Sequence, residues 1–335
     1  MNNLAYSGVN TTVRILEDQL LTKDDFETLL KSSSLKEALE YLQKTSYEID
    51  VPDALENKNF EPFLLKGLMQ SYDVLTPIMP EERIIEVFST SYVYHNLKVL
   101  LKQKFTGINM EHLLVPIGEY PIETLKQVVE TSDSDAVPEI MKEGVRGALE
   151  HYENFHRLES ADIFMDTYYF RHLRAIEQDL RDSVITDIVN CMIDLENIAT
   201  LIRASKQDQS RGFMQTVLSS AGTVSKTRLI DTVHEQGWDS LVELFEHVGY
   251  TEQLAEIVSV DTKDIKVIQL ELLKEEWIYE LLKDATFEAF GPFPGLAYLH
   301  AKEMEVKNLR LLLVGKDNGF SEEQIRERMR PIYGS

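Results

Sequence analysis

The sequence predicts an all-α protein. Leu, Glu, Lys and Ala dominate, while Gly and Pro number 15 and 10 in 335 residues; straight-chain residues keep most of their rotamer freedom in a helix, and few breakers interrupt one. Period-two runs of Val, Ile and Thr are rare, and no Asn-Gly or Asp-Gly hairpin turn joins two strand-like runs. Helix-start signals recur along the chain, each followed by apolar residues at helical spacing.

In chain order, Thr22-Lys23-Asp24-Asp25 predicts the start of a helix carrying Phe26, Leu29 and Leu30. Ser34-Leu35-Lys36-Glu37 reads as a capping box opening a helix through Leu42. Pro80-Glu81-Glu82 opens a long helix to about Phe105, with proline tolerated in the first turn and acids beside the positive helix end. Gly315-Lys316 ends a later helix, with Gly315 as its C-cap, and Ser321-Glu322-Glu323-Gln324 caps the last one.

An internal repeat organises these elements. Asn96-Leu97-Lys98-Val99-Leu100-Leu101, Asn197-Ile198-Ala199-Thr200-Leu201-Ile202 and Asn308-Leu309-Arg310-Leu311-Leu312-Leu313 share the pattern N-[LI]-x-x-L-[LI], at separations of 101 and 111 residues. Tyr92, Ile193 and Met304 stand four residues before the asparagines, and Leu42–Tyr47 parallels Phe245–Tyr250. Three related units are expected at 1–106, 107–208 and 209–335, each closed by a long helix. Such units can close around a pseudo-threefold axis or extend as an arc; their period exceeds the roughly 20–50 residues of ordinary solenoids. Positions −4, 0 and +4 make one row on a helix and +1 and +5 the next, so each asparagine lies inside an apolar stripe. It is either a satisfied core amide that fixes how neighbouring helices dock or a direct contact to a partner.

Composition excludes several functions. Lys and Arg total 34 against 57 Asp and Glu, a net charge of −23 that repels nucleic acid and anionic lipid and favours basic partner loops. No run approaches the ~18–20 apolar residues of a membrane span, and Met1–Tyr6 lacks a basic n-region before an apolar run. A protein of this kind works at a membrane only by docking on another protein. The single cysteine, Cys191, fits a reducing compartment and reads as a small buried hydrophobe.

Catalytic constellations are missing. Gly315-Lys316 has Arg310 and Asp317 where a phosphate-binding loop needs Gly and Ser or Thr. Glu153-Asn154-Phe155-His156 is the only Glu-x-x-His, so a di-metal bundle is not expected and a solvated helix face is. Asp133 and Asp135 lack the glycine of a calcium loop, and Arg326, Arg328 and Arg330 read as a helix-end effect. No catalytic, cofactor-binding or metal residue is assigned.

The C-terminal segment carries a resemblance. Gly291-Pro292-Phe293-Pro294-Gly295-Leu296-Ala297-Tyr298, then Glu303, Glu305, Asn308-Leu309-Arg310, Gly315-Lys316, Gly319 and Ile325–Arg328 resemble the signature of the C subunit of V/A-type rotary ATPases, the counterpart of the d subunit of eukaryotic V-ATPases. Leu20-Leu21 through Phe26, Leu29-Leu30 and Lys44-Thr45-Ser46-Tyr47 look like the opening of that family. The resemblance implies a pseudo-threefold funnel of three helical units on the cytoplasmic face of the membrane. It implies a peripheral, non-catalytic central-stalk connector without cofactor, whose partners are the central shaft and the membrane rotor ring. By the same resemblance, torque is expected to pass through it between ATP hydrolysis or synthesis and proton or sodium transport. The competing readings are a helical scaffold or adaptor of another cytoplasmic complex, and an enzyme with a metal or nucleotide site.

Overall fold

The structure is a computed structural model that describes residues 3–258 and 265–334. Among the described residues every regular element is helical. Packing groups the chain into two compact units, Met1–Ile84 with Glu275–Ser335, and Ile85–Lys274. These units and the three sequence repeats divide the chain on different criteria, packing and pattern.

The first unit contains α1 (Ser7–Glu17), α2 (Lys23–Lys31), α3 (Leu35–Leu42), α4 (Val51–Asn57) and α5 (Glu61–Leu75). The second runs from α6 (Arg83–Thr106) through α7 (Ile122–Thr131), α8 (Glu139–Phe155), α9 (Glu159–Leu180), α10 (Ser183–Lys206), α11 (Arg211–Val217), α12 (Lys226–Glu235), α13 (Asp239–Glu243) and α14 (Thr251–Val258). The chain re-enters the first unit within α15 (Val267–Leu282) and ends with α16 (Phe293–Asp317) and α17 (Glu322–Arg326).

Capping chemistry sets the short helices. Thr22 and Asp25 form a full capping box on α2, and Ser321 and Gln324 another on α17. On α3 the box is displaced: the Ser34 side chain accepts from the Glu37 N–H, but the Glu37 carboxylate takes the Ser33 N–H and hydroxyl instead. Pro80-Glu81-Glu82 precedes α6 rather than lying in it, and the first turn closes from Ile84 N–H to the Glu81 carbonyl at 3.3 Å.

In the first unit α16 is the central helix, packed on α5, α1 and α3, while α17 rests on α2. Leu296, Leu299, Leu309, Leu312 and Leu313 of α16 are fully buried, as are Leu39 and Leu64. At about 25 cal/mol per Å² such apolar burial is what offsets the cost of ordering so many short helices. In the second unit, Val93, Leu97 and Leu101 of α6 share a core with Leu125, Met141, Val145 and Met165. Lys102 of α6 reaches Asp162 of α9 at 2.8 Å, and Lys98 pairs with Asp166 one turn away. The paired spacings of four residues, running in opposite directions, fix the antiparallel register of these helices.

Gly315 is not a C-cap. The helix continues to Asp317, and Gly315 is buried within it, where an added Cβ would lie 2.9 Å from Ile325 Cγ1. The residue in the left-handed region is Gly319, at φ +72°. The two glycines therefore serve different ends, one admitting α17 and one reversing the chain. We expect Gly315→Ala to destabilise by about 1–3 kcal/mol through overpacking against Ile325, and Gly319→Ala by about 1 kcal/mol through backbone strain alone. Thermal unfolding of both variants checks this; a Gly315→Ala chain as stable as the parent would mean that Gly315 has no packing role.

Candidate functional site

The repeated asparagines make the same contact three times. Asn96, Asn197 and Asn308 lie on the three long helices α6, α10 and α16 and are 1%, 2% and 0% exposed. Each amide meets both polar groups of a single residue in the irregular segment that returns after its helix. Asn96 Nδ2 donates to the Val115 carbonyl at 2.7 Å and Oδ1 accepts the Val115 N–H at 2.8 Å. Asn197 holds Ser219 at 3.1 and 2.8 Å, and Asn308 holds Arg330 at 3.1 and 2.8 Å. The clasped residues stand 19, 22 and 22 positions downstream. The asparagines thus anchor a returning segment of their own chain, and not a neighbouring helix.

Other features keep step with the clasps. Gly107, Asp208 and Gly319 all have positive φ, at +70°, +50° and +72°, and each stands eleven residues after its asparagine. This left-handed residue ends each long helix at a fixed distance beyond the asparagine and turns the chain back; aspartate tolerates the conformation better than most residues. Gly118 and Gly222 are each three residues past the clasped residue. A Cβ on Gly222 would lie 2.6 Å from Asp194 Oδ1 and 3.0 Å from Asn197 Nδ2; one on Gly118, at φ +117°, would lie 2.4 Å from Val93 Cγ2. Bare backbone is what lets the segment lie flat on the helix.

Three residues before the asparagine the second and third helices carry an acid. Asp194 accepts the Thr223 N–H at 2.8 Å and the Thr223 hydroxyl at 2.5 Å, just ahead of the α12 N-cap. Burial pushes its carboxyl up despite these bonds. Glu305 accepts the Leu21 N–H at 2.5 Å, just ahead of the α2 N-cap Thr22. The third helix thereby treats the chain's beginning as the second treats α12.

Two buried ionic clusters surround the third clasp. Lys302 donates to Glu305 Oε1 at 2.6 Å and to the Tyr47 hydroxyl at 3.1 Å, and Tyr47 donates to the same carboxylate oxygen at 2.7 Å. Burial and the Glu305 charge hold the Tyr47 phenol well above its ordinary range. On the other side, Glu275 accepts from Lys307 at 2.6 Å and from Arg330 at 2.8 Å, so the clasped arginine is held by backbone and side chain together. His300 donates from Nε2 to the Glu275 carbonyl at 3.3 Å, and burial lowers its pKa to about 4. At the start of α16, Asn10 reaches the Gly291 carbonyl at 3.1 Å and Arg14 the Glu288 carbonyl at 2.9 Å, tying the Gly-Pro-Phe-Pro segment to α1.

These arrangements hold chain segments; they do not poise a nucleophile. Cys191 is fully buried and burial raises its thiol pKa. His156 is the exposed left-handed residue ending α8, and Asp133 pairs with Lys142 at 3.3 Å. Arg326 is bound by Glu27 and Glu322, an ion-pair role beyond a helix-end effect. Among the described residues no group of three or more His, Cys, Asp or Glu could hold a metal ion, and no helix is long and apolar enough to cross a membrane. The spacing of Asp194 and Glu305 from their asparagines was readable in the sequence; the pairing of Tyr47 and Leu21 with Glu305 had no local signal.

The ATP synthase (C/AC39) subunit family model matches residues 9–328. The chain belongs to this family. Its members are non-catalytic structural subunits of V/A-type ATPase complexes. The C subunit of the V-type sodium ATPase of Enterococcus hirae is 34% identical over 330 residues, covering 98% of this chain and 99% of that one. The C subunit of the A-type ATP synthase of Methanocaldococcus jannaschii is 26% identical, covering 96% and 85%, and that of Pyrococcus abyssi 24%, covering 96% and 89%.

Replacing a clasp asparagine leaves a buried peptide N–H and C=O unmet. Asn197→Ala and Asn96→Ala should each cost about 2–4 kcal/mol, and a denaturant series showing under about 1 kcal/mol would mean solvent replaces the amide. His300 gives a pH test. Its folded pKa of about 4 lies below the ordinary 6.5, so its neutral form stabilises the fold above pH 6.5 and that stability is lost as pH falls toward 4. At pH 5 the loss relative to pH 7 should be about 2 kcal/mol, and should vanish in His300→Gln.

Proposed function

We propose that this chain is the connector of the central stalk in a V/A-type rotary ATPase, joining the central shaft to the membrane rotor ring and passing torque between ATP hydrolysis or synthesis and ion transport. Its place is peripheral, on the cytoplasmic face, held by protein contacts with no cofactor and no direct lipid or nucleic-acid binding. The observation that carries the reading is the family match over residues 9–328, together with relatives named as C subunits that align over most of their length. We propose further that the three units 1–106, 107–208 and 209–335 are equivalent.

The chemistry supports this work. A torque-bearing linker makes and breaks no bonds; it must be stiff and must grip two partners. Three amide clasps lock the long helices to their return segments, two ion clusters brace α16, and interiors packed to crystal-like density transmit strain. The net charge of −23 suits basic partner loops.

The test is assembly with and without the chain. Omitting it should leave ATP turnover of the soluble catalytic sector intact and abolish coupled ion flux. Loss of ATP turnover in that isolated sector, restored on adding the chain, would show an activating role and overturn the reading. Docking should also weaken as salt rises, since exposed charges are screened over about 8–10 Å at moderate ionic strength; salt-independent docking would assign the grip to apolar contact.

A further inference from the structure

A cavity of about 330 Å³ opens between α1 and α5, floored by α16. Leu16, Gly67 and Val74 form its apolar wall. Its polar floor is Tyr47, Ser71, Tyr298 and Lys302, all more than nine-tenths buried. This floor is rich in donors. An ammonium has three N–H groups, and Lys302 uses one on Glu305 and one on Tyr47. The ammonium also lies 4.5 Å above the Tyr47 ring, and its third N–H has no oxygen or nitrogen acceptor among the described residues. The ammonium is 3.8 Å from where a Cβ on Gly67 would sit, which places it at the cavity wall rather than behind it. Ser71 donates to the Gly67 carbonyl at 3.2 Å and shares a 2.8 Å bond with Tyr298, so the Tyr298 hydroxyl proton can turn from Ser71 to a better acceptor. Gln19 and Gln70 stand at the mouth, their side-chain amides unbonded among the described residues.

We infer that this cavity binds a carboxylate group. Lys302 lines the cavity while its partner Glu305 does not, so the cavity favours an anionic group over a cation. A carboxylate oxygen can take the remaining Lys302 N–H and the Tyr298 hydroxyl, with the glutamine amides closing over its other oxygen; charge-assisted bonds of this kind are about twice as strong as neutral ones. The apolar wall suits the methylene stem that carries such a group. The carboxylate comes either from a small free acid or from a side chain of a docked protein. The site stands whether or not the chain is a stalk connector. Glu305 is neutralised by the same lysine, and the rest of the chain repels an anion, so affinity should rise as inert salt screens that repulsion. This is opposite in sign to docking on basic loops.

The probe is succinate, compared with chloride at matched ionic strength, on the isolated full-length protein. Thermal unfolding should show a rise in Tm that saturates with succinate. Lys302→Met should weaken binding by at least about tenfold, and Val74→Phe, at a half-exposed position on the rim, should block the cavity without touching the buried cluster. Assembly of the Val74→Phe chain into its ATPase separates the two sources. Saturable succinate binding with normal assembly assigns a free acid. Weakened assembly, with succinate competing against the wild-type chain, assigns a partner side chain. Absence of a succinate-specific rise in Tm, together with normal assembly of Val74→Phe, means that the cavity holds solvent alone and overturns the inference.

Discussion

A primary amide is complementary to the backbone of a single residue. One of its two N–H groups and its C=O point the same way, and they meet the C=O and N–H of that residue, which belong to two successive peptide groups. In this chain an asparagine amide does for one residue what a strand would do in a sheet. A helix interior has no free backbone groups to offer a passing segment, because its own hydrogen bonds consume them. The returning segment that lies on each long helix would therefore bury an unmet N–H and C=O. Asn96, Asn197 and Asn308 meet that need with two bonds each, and other features of the neighbourhood follow from it.

The first consequence is steric. For the segment to approach within hydrogen-bond reach, the residues facing the helix must be small, and at Gly118 and Gly222 even a methyl group would collide. The second concerns chain direction. A left-handed residue eleven positions on ends each helix where the return can begin. The third is electrostatic. Around the third clasp the clasped residue is an arginine, so its backbone pairing with Asn308 also delivers a guanidinium to the buried Glu275, beside Lys307. Buried ion pairs add little net stability over apolar packing, but breaking one is costly.

The first compact unit makes the same point over a greater distance. It is assembled from both ends of the chain, and Glu305 joins them by accepting from Leu21 and Tyr47 while paired with Lys302. One carboxylate thus reads the position of α2, of the turn after α3 and of α16 itself. Such cross-bracing couples the helices of the unit, so that displacing one strains the contacts of its neighbours.

The sequence by itself determined the helical class, the capped starts of α2 and α17, and the three asparagines in their apolar stripes. These are local properties, set by side-chain entropy, by hydrogen bonds three residues long and by the 3.6-residue turn. It also carried the family resemblance, through Gly291–Tyr298 and the motif around Asn308. What each asparagine holds was decided only by tertiary structure. Periodicity records which residues share a helix face, but not which residue, 19 or 22 positions on, brings its backbone back to meet it. The role of Gly315 was misread for the same reason: glycine after an apolar run suits a helix end or a close crossing, and only the arrival of Ile325 makes it a crossing. The Lys302–Glu305–Tyr47 cluster lay furthest from sight. Its members are separated by up to 258 positions, and a buried charge cannot be told from a solvated one until the fold removes the water.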